Sequence, residues 1–361
     1  MTINRYLTYR IIDTLKRSKS NDEDYQDFQT YLTYDQKDKN KIKYILRQID
    51  LEKLTDLTEF IKELSWYKQF DHTNLMSLQD CFLFDTKLYL LKPYAPFGSC
   101  ADLLNTNPYG IREQLIAHIL WQTLQALRYL HDRHIIHRAI TSKNIYLCDN
   151  GRVLLDNFSH CISMISSFDG KLKRQINDYT AKAKDQLLYL APEVIYQNTT
   201  GYNLKSDIYS LGTVACELAN GTNIYTNMLH ENLSMLYAKI QGSEPILLDQ
   251  TQLTNEIITF NNNNTSYIEE IKKRKYTKEF HSFIKSCVTT RLELRCSSDE
   301  LYNHSFFKYH KKLNHNQHLL YNEMVKLLEI YKKQDSVNAQ MKNIEEIFVN
   351  STTEQMTSWE F

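Results

Sequence analysis

Glycine is scarce in this sequence: there are 8 in 361 residues, and the first is Gly98. Glycine supplies backbone conformations that other residues resist and lets a main chain approach a ligand closely. The first quarter of the chain therefore has no glycine-built phosphate cradle. An excess of one charge is also missing, since Lys plus Arg and Asp plus Glu number 43 each. That balance excludes a global field drawing in nucleic acid or an anionic membrane surface. No window approaches the roughly 18 apolar residues of a membrane span, and Met1-Thr-Ile-Asn-Arg-Tyr6 lacks an apolar signal core. Neither membrane anchoring nor secretion is expected. The cysteines (Cys81, Cys100, Cys148, Cys161, Cys216, Cys287, Cys296) form no Cys-x-x-Cys pair and no cluster with histidine, so no metal site is expected. Reduced thiols in the cytoplasm fit this set best.

What is present is a core-forming chain, 42% hydrophobic, long enough for one large bilobal unit. Tyr31-Leu-Thr-Tyr and Ile42-Lys-Tyr-Ile-Leu read as strands. Leu54, Leu57, Ile61, Leu64 and Phe70 follow helical spacing, and strand character returns in Cys81-Phe-Leu-Phe and Lys87-Leu-Tyr-Leu-Leu. Pro93 and Pro96 mark a hinge. Beyond it Leu115, Ile119, Leu120, Leu124, Leu127 and Leu130 make an amphipathic helical stripe. Asn150-Gly151 between two apolar runs predicts a hairpin, and Leu204 to Leu218 reads as a buried helix. Asn261 to Asn264 reads as a loop. The spacing thus predicts an α+β protein: a small antiparallel sheet with one helix over 1–92, a mainly helical lobe over 93–312, and a C-terminal extension and tail over 313–361.

Several strings occur in one order: His137-Arg-Ala-Ile-Thr-Ser-Lys-Asn144, Ala191-Pro-Glu193, Ser206-Asp-Ile-Tyr-Ser-Leu-Gly212, then Arg295 and Asn303-His-Ser-Phe-Phe307. Together they resemble the catalytic loop, the A-P-E and the following helix of the protein kinases, over about residues 9–307. The resemblance implies a bilobal protein-kinase-like fold in which Glu193 and Arg295 form a buried structural ion pair and Asp207 is also structural.

The chemistry-bearing positions depart from that pattern. Ala139 stands where the proton-accepting aspartate belongs, and a methyl group accepts no proton. The D-F-G position falls on Asn157-Phe158-Ser159, with Asp156 one residue early. Because strand side chains alternate faces, Asp156 should point away from a nucleotide unless a bulge re-aims it. The glycine-rich loop falls near Lys16-Arg-Ser-Lys-Ser20, which has no glycine and otherwise reads as a solvated turn. Arg47 takes the place of the phosphate-binding lysine, with Glu63 as its helix partner. Lys92 occupies the gatekeeper position, where its ammonium needs a carboxylate, a phosphate or water. Arg47, Glu63, Lys92, Tyr94 and Asn144 are the candidate nucleotide pocket. Asn144 reads as a metal ligand or as an amide supporting the hairpin, and loss of its partner carboxylate favours the latter. His137 reads as a packing residue.

Ile162-Ser-Met-Ile165, the run Gly201 to Gly221 and the terminal Trp359-Glu360-Phe361 resemble, within the kinases, the Sterile-20-related adaptor (STRAD) pseudokinases. That resemblance implies an inactive adaptor that allosterically activates a partner Ser/Thr kinase of the liver kinase B type. It also implies a helical-repeat scaffold of the mouse-protein-25 type as second partner, docked by Trp359, Glu360 and Phe361, and ATP held without magnesium. The activation segment from Asn157 to Glu193, with Ser163 to Ser167 and Asp178-Tyr179, is then the face for the partner kinase. Two other readings stay open: a weak kinase that uses Asp156 in an altered geometry, and a binding module gated by ATP. Lys272-Lys-Arg-Lys275 reads as a solvated face or a nuclear-import signal added to a cytoplasmic protein.

Overall fold

The computed structural model describes residues 8–18, 28–54, 57–179, 184–197, 199–223, 238–239, 241–242, 244–251, 265–312, 321–322 and 324–331. Its first lobe is a five-stranded antiparallel sheet of β1 (Tyr9–Ser18), β2 (Phe28–Asp35), β3 (Lys43–Asp50), β4 (Asp80–Phe84) and β5 (Lys87–Pro93), in the order β1-β2-β3-β5-β4. Alternation along the strands gives the sheet two apolar faces. Leu46, Phe82, Tyr89 and Leu91 pack on one, covered by Tyr9, Tyr31 and Tyr44, while Ile49 and Leu90 meet Phe60 on the other. Phe60 comes from α1 (Leu57–Gln69), the helix between β3 and β4.

This helix forms where its spacing predicted, but it turns a different face inward. Its buried residues are Phe60, Glu63 and Tyr67, whereas Leu57 and Ile61 are 52% and 57% exposed. An aromatic, a carboxylate and a phenol at i, i+3 and i+7 make the buried face: Phe60 packs on the sheet, and Tyr67 reaches Asp156 and Phe158 of the second lobe. Leu54 and Leu64 only edge the packed cluster.

The second lobe comprises α2 (Cys100–Thr106), α3 (Glu113–His131), the short strands β6 (Ile135–Ile136), β7 (Ile145–Leu147), β8 (Val153–Leu155) and β9 (Ile162–Ser163), then α4 (Lys184–Leu187), α5 (Pro192–Ile195) and α6 (Lys205–Asn220). It ends in α7 (Thr265–Lys273), α8 (Lys278–Val288), α9 (Ser298–Tyr302) and α10 (Lys308–Lys312). β7 and β8 form the hairpin predicted around Asn150-Gly151. The helices start where their sequences offer caps. Ser99 with Asp102 and Ser297 with Glu300 are capping boxes for α2 and α9, and Thr277 caps α8. α6 is buried almost throughout. Gly212 permits its contact with α8, because a Cβ there would come within 2.5 Å of Cys287 Cβ and 2.6 Å of Val288 Cγ1. Residues 324–331, from the segment read as a C-terminal extension, bury Met324 and Leu328 in this core, and Tyr331 Oη accepts from Arg112 N at 3.1 Å. Among the described residues no helix is long and apolar enough to cross a membrane.

Glu193 and Arg295 meet as their motifs implied, in a two-pronged pair at 2.6 and 3.0 Å. The guanidinium also donates to Thr289 O and Lys205 O and lies over the Tyr209 ring, so its donors are well used. Removing one member of such a pair leaves the other charge buried and alone, at a cost of about 3–5 kcal/mol. Arg295→Ala is expected to lower the unfolding free energy by about that amount in urea titration. A loss below about 1 kcal/mol would show that the pair does not anchor α5.

Candidate functional site

The loop after β6 is held by one carboxylate. Asp207, at the start of α6, accepts from His137 N at 2.8 Å, Arg138 N at 2.9 Å and His131 Nε2 at 3.0 Å. Burial works to raise its pKa, but the His131 hydrogen bond, nearby imidazole charge and the His137 amide hold it below the ordinary carboxylate range. These bonds keep Arg138 in a left-handed conformation with φ 65°. Ala139 follows, 1% exposed. Its carbonyl accepts from Asn144 Nδ2 at 2.8 Å, and Asn144 O accepts from Asp156 N at 2.9 Å. Asn144 thus binds the loop together, the structural role its missing carboxylate partner favoured.

Asn157 also has left-handed backbone, with φ 70°, a conformation asparagine tolerates better than most residues. Its Oδ1 accepts from Ser159 Oγ at 2.6 Å. Asp156 is not re-aimed toward a metal position. It is buried at the rear of the site, where Lys92 Nζ donates to its oxygens at 3.1 and 3.0 Å and the Tyr67 hydroxyl donates to Oδ1. Lys92 Nζ also donates to Tyr67 Oη at 2.6 Å and lies 4.4 Å from that ring's centre. Burial alone would raise the Asp156 pKa, but the Lys92 charge and the Tyr67 hydrogen bond bring it below the usual value. The Tyr67 hydroxyl is pushed far up by burial and by the Asp156 charge. The carboxylate that Lys92 requires is therefore Asp156, 64 residues along the chain.

This cluster joins three segments: α1 through Tyr67, β5 through Lys92 and the strand end after β8 through Asp156. Beside it Phe158, fully buried, packs edge-on against Tyr67 at 4.7 Å, Phe70 at 5.0 Å and His137 at 5.7 Å. A continuous column of rings runs from α1 to the loop of Ala139. His137 packs against Phe158 in this column.

Arg47 and Glu63 lie around the same point, for Glu63 raises and Arg47 lowers the Tyr67 pKa through their charges. Tyr94 does not join them. It lines a cavity of about 820 Å³ with Lys41, Lys43, Tyr44 and Arg152, which Arg47, Glu63, Lys92 and Asn144 do not line. The residues present do not fit magnesium, because the Asn157 Oδ1 accepts from Ser159 and the Asp156 carboxylate is paired with Lys92, which removes the oxygens a hard cation requires. For a nucleotide the candidate residues are not gathered in one cavity, since Tyr94 lines one that the others do not. Among the described residues no group of three or more His, Cys, Asp or Glu converges as a metal site. The activation segment is tied back by Arg138, whose Nη1 reaches Asp178 Oδ1 at 3.6 Å, and by Tyr202 Oη donating to Asp178 O at 2.7 Å. It leaves Phe168 97%, Leu172 54% and Ile165 43% exposed. Residues 19–27, after Lys16-Arg-Ser18, and the tail Trp359-Glu360-Phe361 lie outside the described residues.

The sequence reading missed the importance of Tyr67 and the union of Lys92 with Asp156. A signal existed. Each is a lone charge ending an apolar strand, Leu88-Tyr-Leu-Leu91 and Val153-Leu-Leu155, and two such charges of opposite sign invite pairing. Lys92→Met leaves Asp156 buried and alone, so stability should fall by about 3–5 kcal/mol, with most of it regained in Lys92→Met/Asp156→Leu. The pH profile should change too. In the native protein the depressed Asp156 contributes above the unfolded carboxyl value and loses that contribution as pH falls through its folded value. In Lys92→Met the opposing charge is gone and only the Tyr67 hydroxyl and the Asn157 amide still favour the carboxylate, so the stability gained as pH rises above about 4 should shrink. An unchanged profile in denaturant titrations across pH would refute the pairing.

The protein kinase domain family matches residues 30–307. The STE20-related kinase adapter protein alpha of Bos taurus is 32% identical over 290 residues, covering 74% of this chain and 77% of its own. The STE20-related kinase adapter protein strd-1 of Caenorhabditis elegans is 32% identical over 288 residues, covering 79% of this chain and 72% of its own. The beta adapter of Homo sapiens is 29% identical over 265 residues, 67% of this chain and 62% of its own. These likenesses lead to one assignment: the chain belongs to the STE20-related kinase adapter family of the protein kinase fold.

Proposed function

We propose that this chain is a catalytically inactive adaptor that allosterically activates a partner Ser/Thr kinase of the liver kinase B type, in a complex with a helical-repeat scaffold of the mouse-protein-25 type. The observation that carries the reading is the buried Lys92–Asp156–Tyr67 cluster. A kinase needs its D-F-G carboxylate free for magnesium. Here that position is Asn157, and the nearest carboxylate is consumed in holding α1, β5 and the strand end after β8 together. The lobes are thereby tied by the chain's own residues. A fixed kinase shape of this sort can shift another kinase toward its active conformation through differential binding alone. The exposed Phe168, Leu172 and Ile165 on the activation segment supply apolar surface for that contact. The free thiols of all seven cysteines, five of them buried, suit action in the reducing cytoplasm.

ATP without magnesium is part of the proposal, on the family resemblance and because Asn157 and the Lys92-paired Asp156 are poor metal ligands. The test is thermal unfolding with ATP, with and without magnesium, beside a radiolabel transfer assay. We expect a rise in Tm with ATP that magnesium does not enlarge, and no transfer either by the native chain or by Ala139→Asp. Magnesium-dependent stabilisation with turnover would make the chain an enzyme and overturn the reading. Reconstitution with the partner kinase should show activation, and its absence would overturn the adaptor role.

The tail Trp359-Glu360-Phe361 is proposed as the scaffold anchor. Aromatic residues that fill pockets carry about 2 kcal/mol or more each, and a terminal peptide reaches a pocket without straining its own fold. Trp359→Ala with Phe361→Ala should weaken scaffold binding at least about tenfold in calorimetry, with Tm nearly unchanged. Equal affinity of the variant and native proteins would refute this anchor.

A further inference from the structure

The cavity of about 820 Å³ that Tyr94 lines has walls from both lobes. One wall is the turn into β3, which carries Lys41 and Lys43, and the other is the turn between β7 and β8, which carries Arg152. Each turn is held by a short side chain. Asp38 accepts from Asn40 N at 2.9 Å and from Ile42 N at 3.1 Å, and Lys41 between them is left-handed with φ 48°. Asn150 Oδ1 accepts from Arg152 N at 3.0 Å. Pro93, Tyr94 and Pro96 of the hinge complete the lining.

The three cations lack counter-charges. Among the described residues none of them pairs with a carboxylate. Lys41 Nζ lies 5.9 Å from the Tyr34 ring centre, a contact that leaves its charge in place. Arg152 Nε is buried without a partner. The groups beside them stay neutral. Burial pushes the Cys148 thiol up to about 11 in spite of the Arg152 charge, and burial with the Asp38 and Asp35 charges raises the Tyr44 hydroxyl. Among the described lining residues Asp149 is the one acid. Like charges gathered on the walls of a cavity concentrate anions there. One carboxylate against three cations leaves an excess of two, which a phosphate ester nearly matches at neutral pH. A guanidinium also grips phosphate by two parallel N–H bonds, the geometry that ammonium groups lack.

The hinge side of the cavity bears on what the phosphate is attached to. Two prolines offer no amide hydrogen there, and the Tyr44 and Tyr94 rings are half-buried. Such a lining suits a flat apolar body.

We infer that this cavity is a binding site for an aromatic phosphate ester, with the phosphate between Lys41 and Lys43 of the first lobe and Arg152 of the second, and the ring against the hinge. Such a site needs neither the adaptor reading nor the Lys92 cluster. A ligand gripped from both lobes favours the one setting of the lobes in which all three cations reach it. A free small molecule and a phosphotyrosine side chain carry the same chemistry, and the test tells them apart.

The test is calorimetry on the full-length chain at low ionic strength, with phenyl phosphate, inorganic phosphate and phenol as probes. Phenyl phosphate should bind at least about tenfold tighter than inorganic phosphate, and phenol should not bind. Lys41→Gln/Lys43→Gln and Arg152→Gln should each weaken phenyl phosphate about tenfold. Asp149→Asn should tighten it about threefold, a gain that loss of structure cannot produce. Lys272→Gln/Lys285→Gln, which removes as much charge elsewhere, should leave it unchanged. Hydrogen exchange with phenyl phosphate bound should slow at 41–44 and 148–152. A glycine-flanked phosphotyrosine peptide that binds as well as phenyl phosphate would assign the ester to a protein side chain, and one that does not bind would assign it to a free small molecule. No binding of phenyl phosphate at about 10 mM would overturn the inference. So would equal losses in the two lysine double variants, weaker binding in Asp149→Asn, or slowed exchange confined to the loop of Ala139. If Arg152→Gln does not fold, the Lys41/Lys43 and Asp149 variants decide.

Discussion

The Asp207 carboxylate is the interaction on which the second lobe depends. It is buried at the head of a helix that is itself buried, and it spends its oxygens on two successive amides and an imidazole. Those bonds set the left-handed Arg138, which sets the direction of the loop that follows. The rest of α6 extends the same function. Ser210 and Glu217 reach the segment before Ala191, and Gly212 lets α8 come close enough for Arg295 to meet Glu193. An anionic group so placed is costly to bury and is stabilised only by the number of donors facing it. The loop geometry and the helix position are thus fixed together.

Within that frame, the polar side chains around the Ala139 loop bind chiefly to the protein itself. Ala139 offers a methyl group, Asn144 and Asn157 turn their amides to neighbours, and Asp156 is neutralised by Lys92. Architecture and catalysis are separable because they draw on different atoms. Backbone amides and α6 carry the first, whereas exposed carboxylates carry the second. What remains is a shape with a buried electrostatic tie between its lobes, which suits a protein that acts by being recognised.

How much of this could be read from the sequence varies with the range of the interaction. The long helices α3 and α6 and the Asn150-Gly151 hairpin were legible because periodicity and turn chemistry are local. Glu193 with Arg295 was legible because each sits in a recognisable string, although about a hundred residues separate them. Lys92 announced its need for a carboxylate but not which one, since nothing local links β5 to the strand end after β8. The inner face of α1 was misread because apolar count pointed to Leu57 and Ile61, whereas the contact is made by Phe60, Glu63 and Tyr67. β1 pairs with β2 through irregularities between Ile11 and Asp13 and between Leu15 and Ser18, and such bulges break the period-two pattern on which register depends.

The Lys92–Asp156 pair has a consequence for the routes by which this sequence could change. An ancestral-type carboxylate restored at position 157 would arrive beside a charge pair that already fills the rear of the site. Exchanging Lys92 for a small neutral residue first would strand Asp156 in the interior, and exchanging Asp156 first would strand Lys92. Each single step passes through a destabilised intermediate, and only the simultaneous loss of both is smooth. The two charges act as a ratchet: once in place, mutual dependence makes the loss of either one by a single substitution uphill.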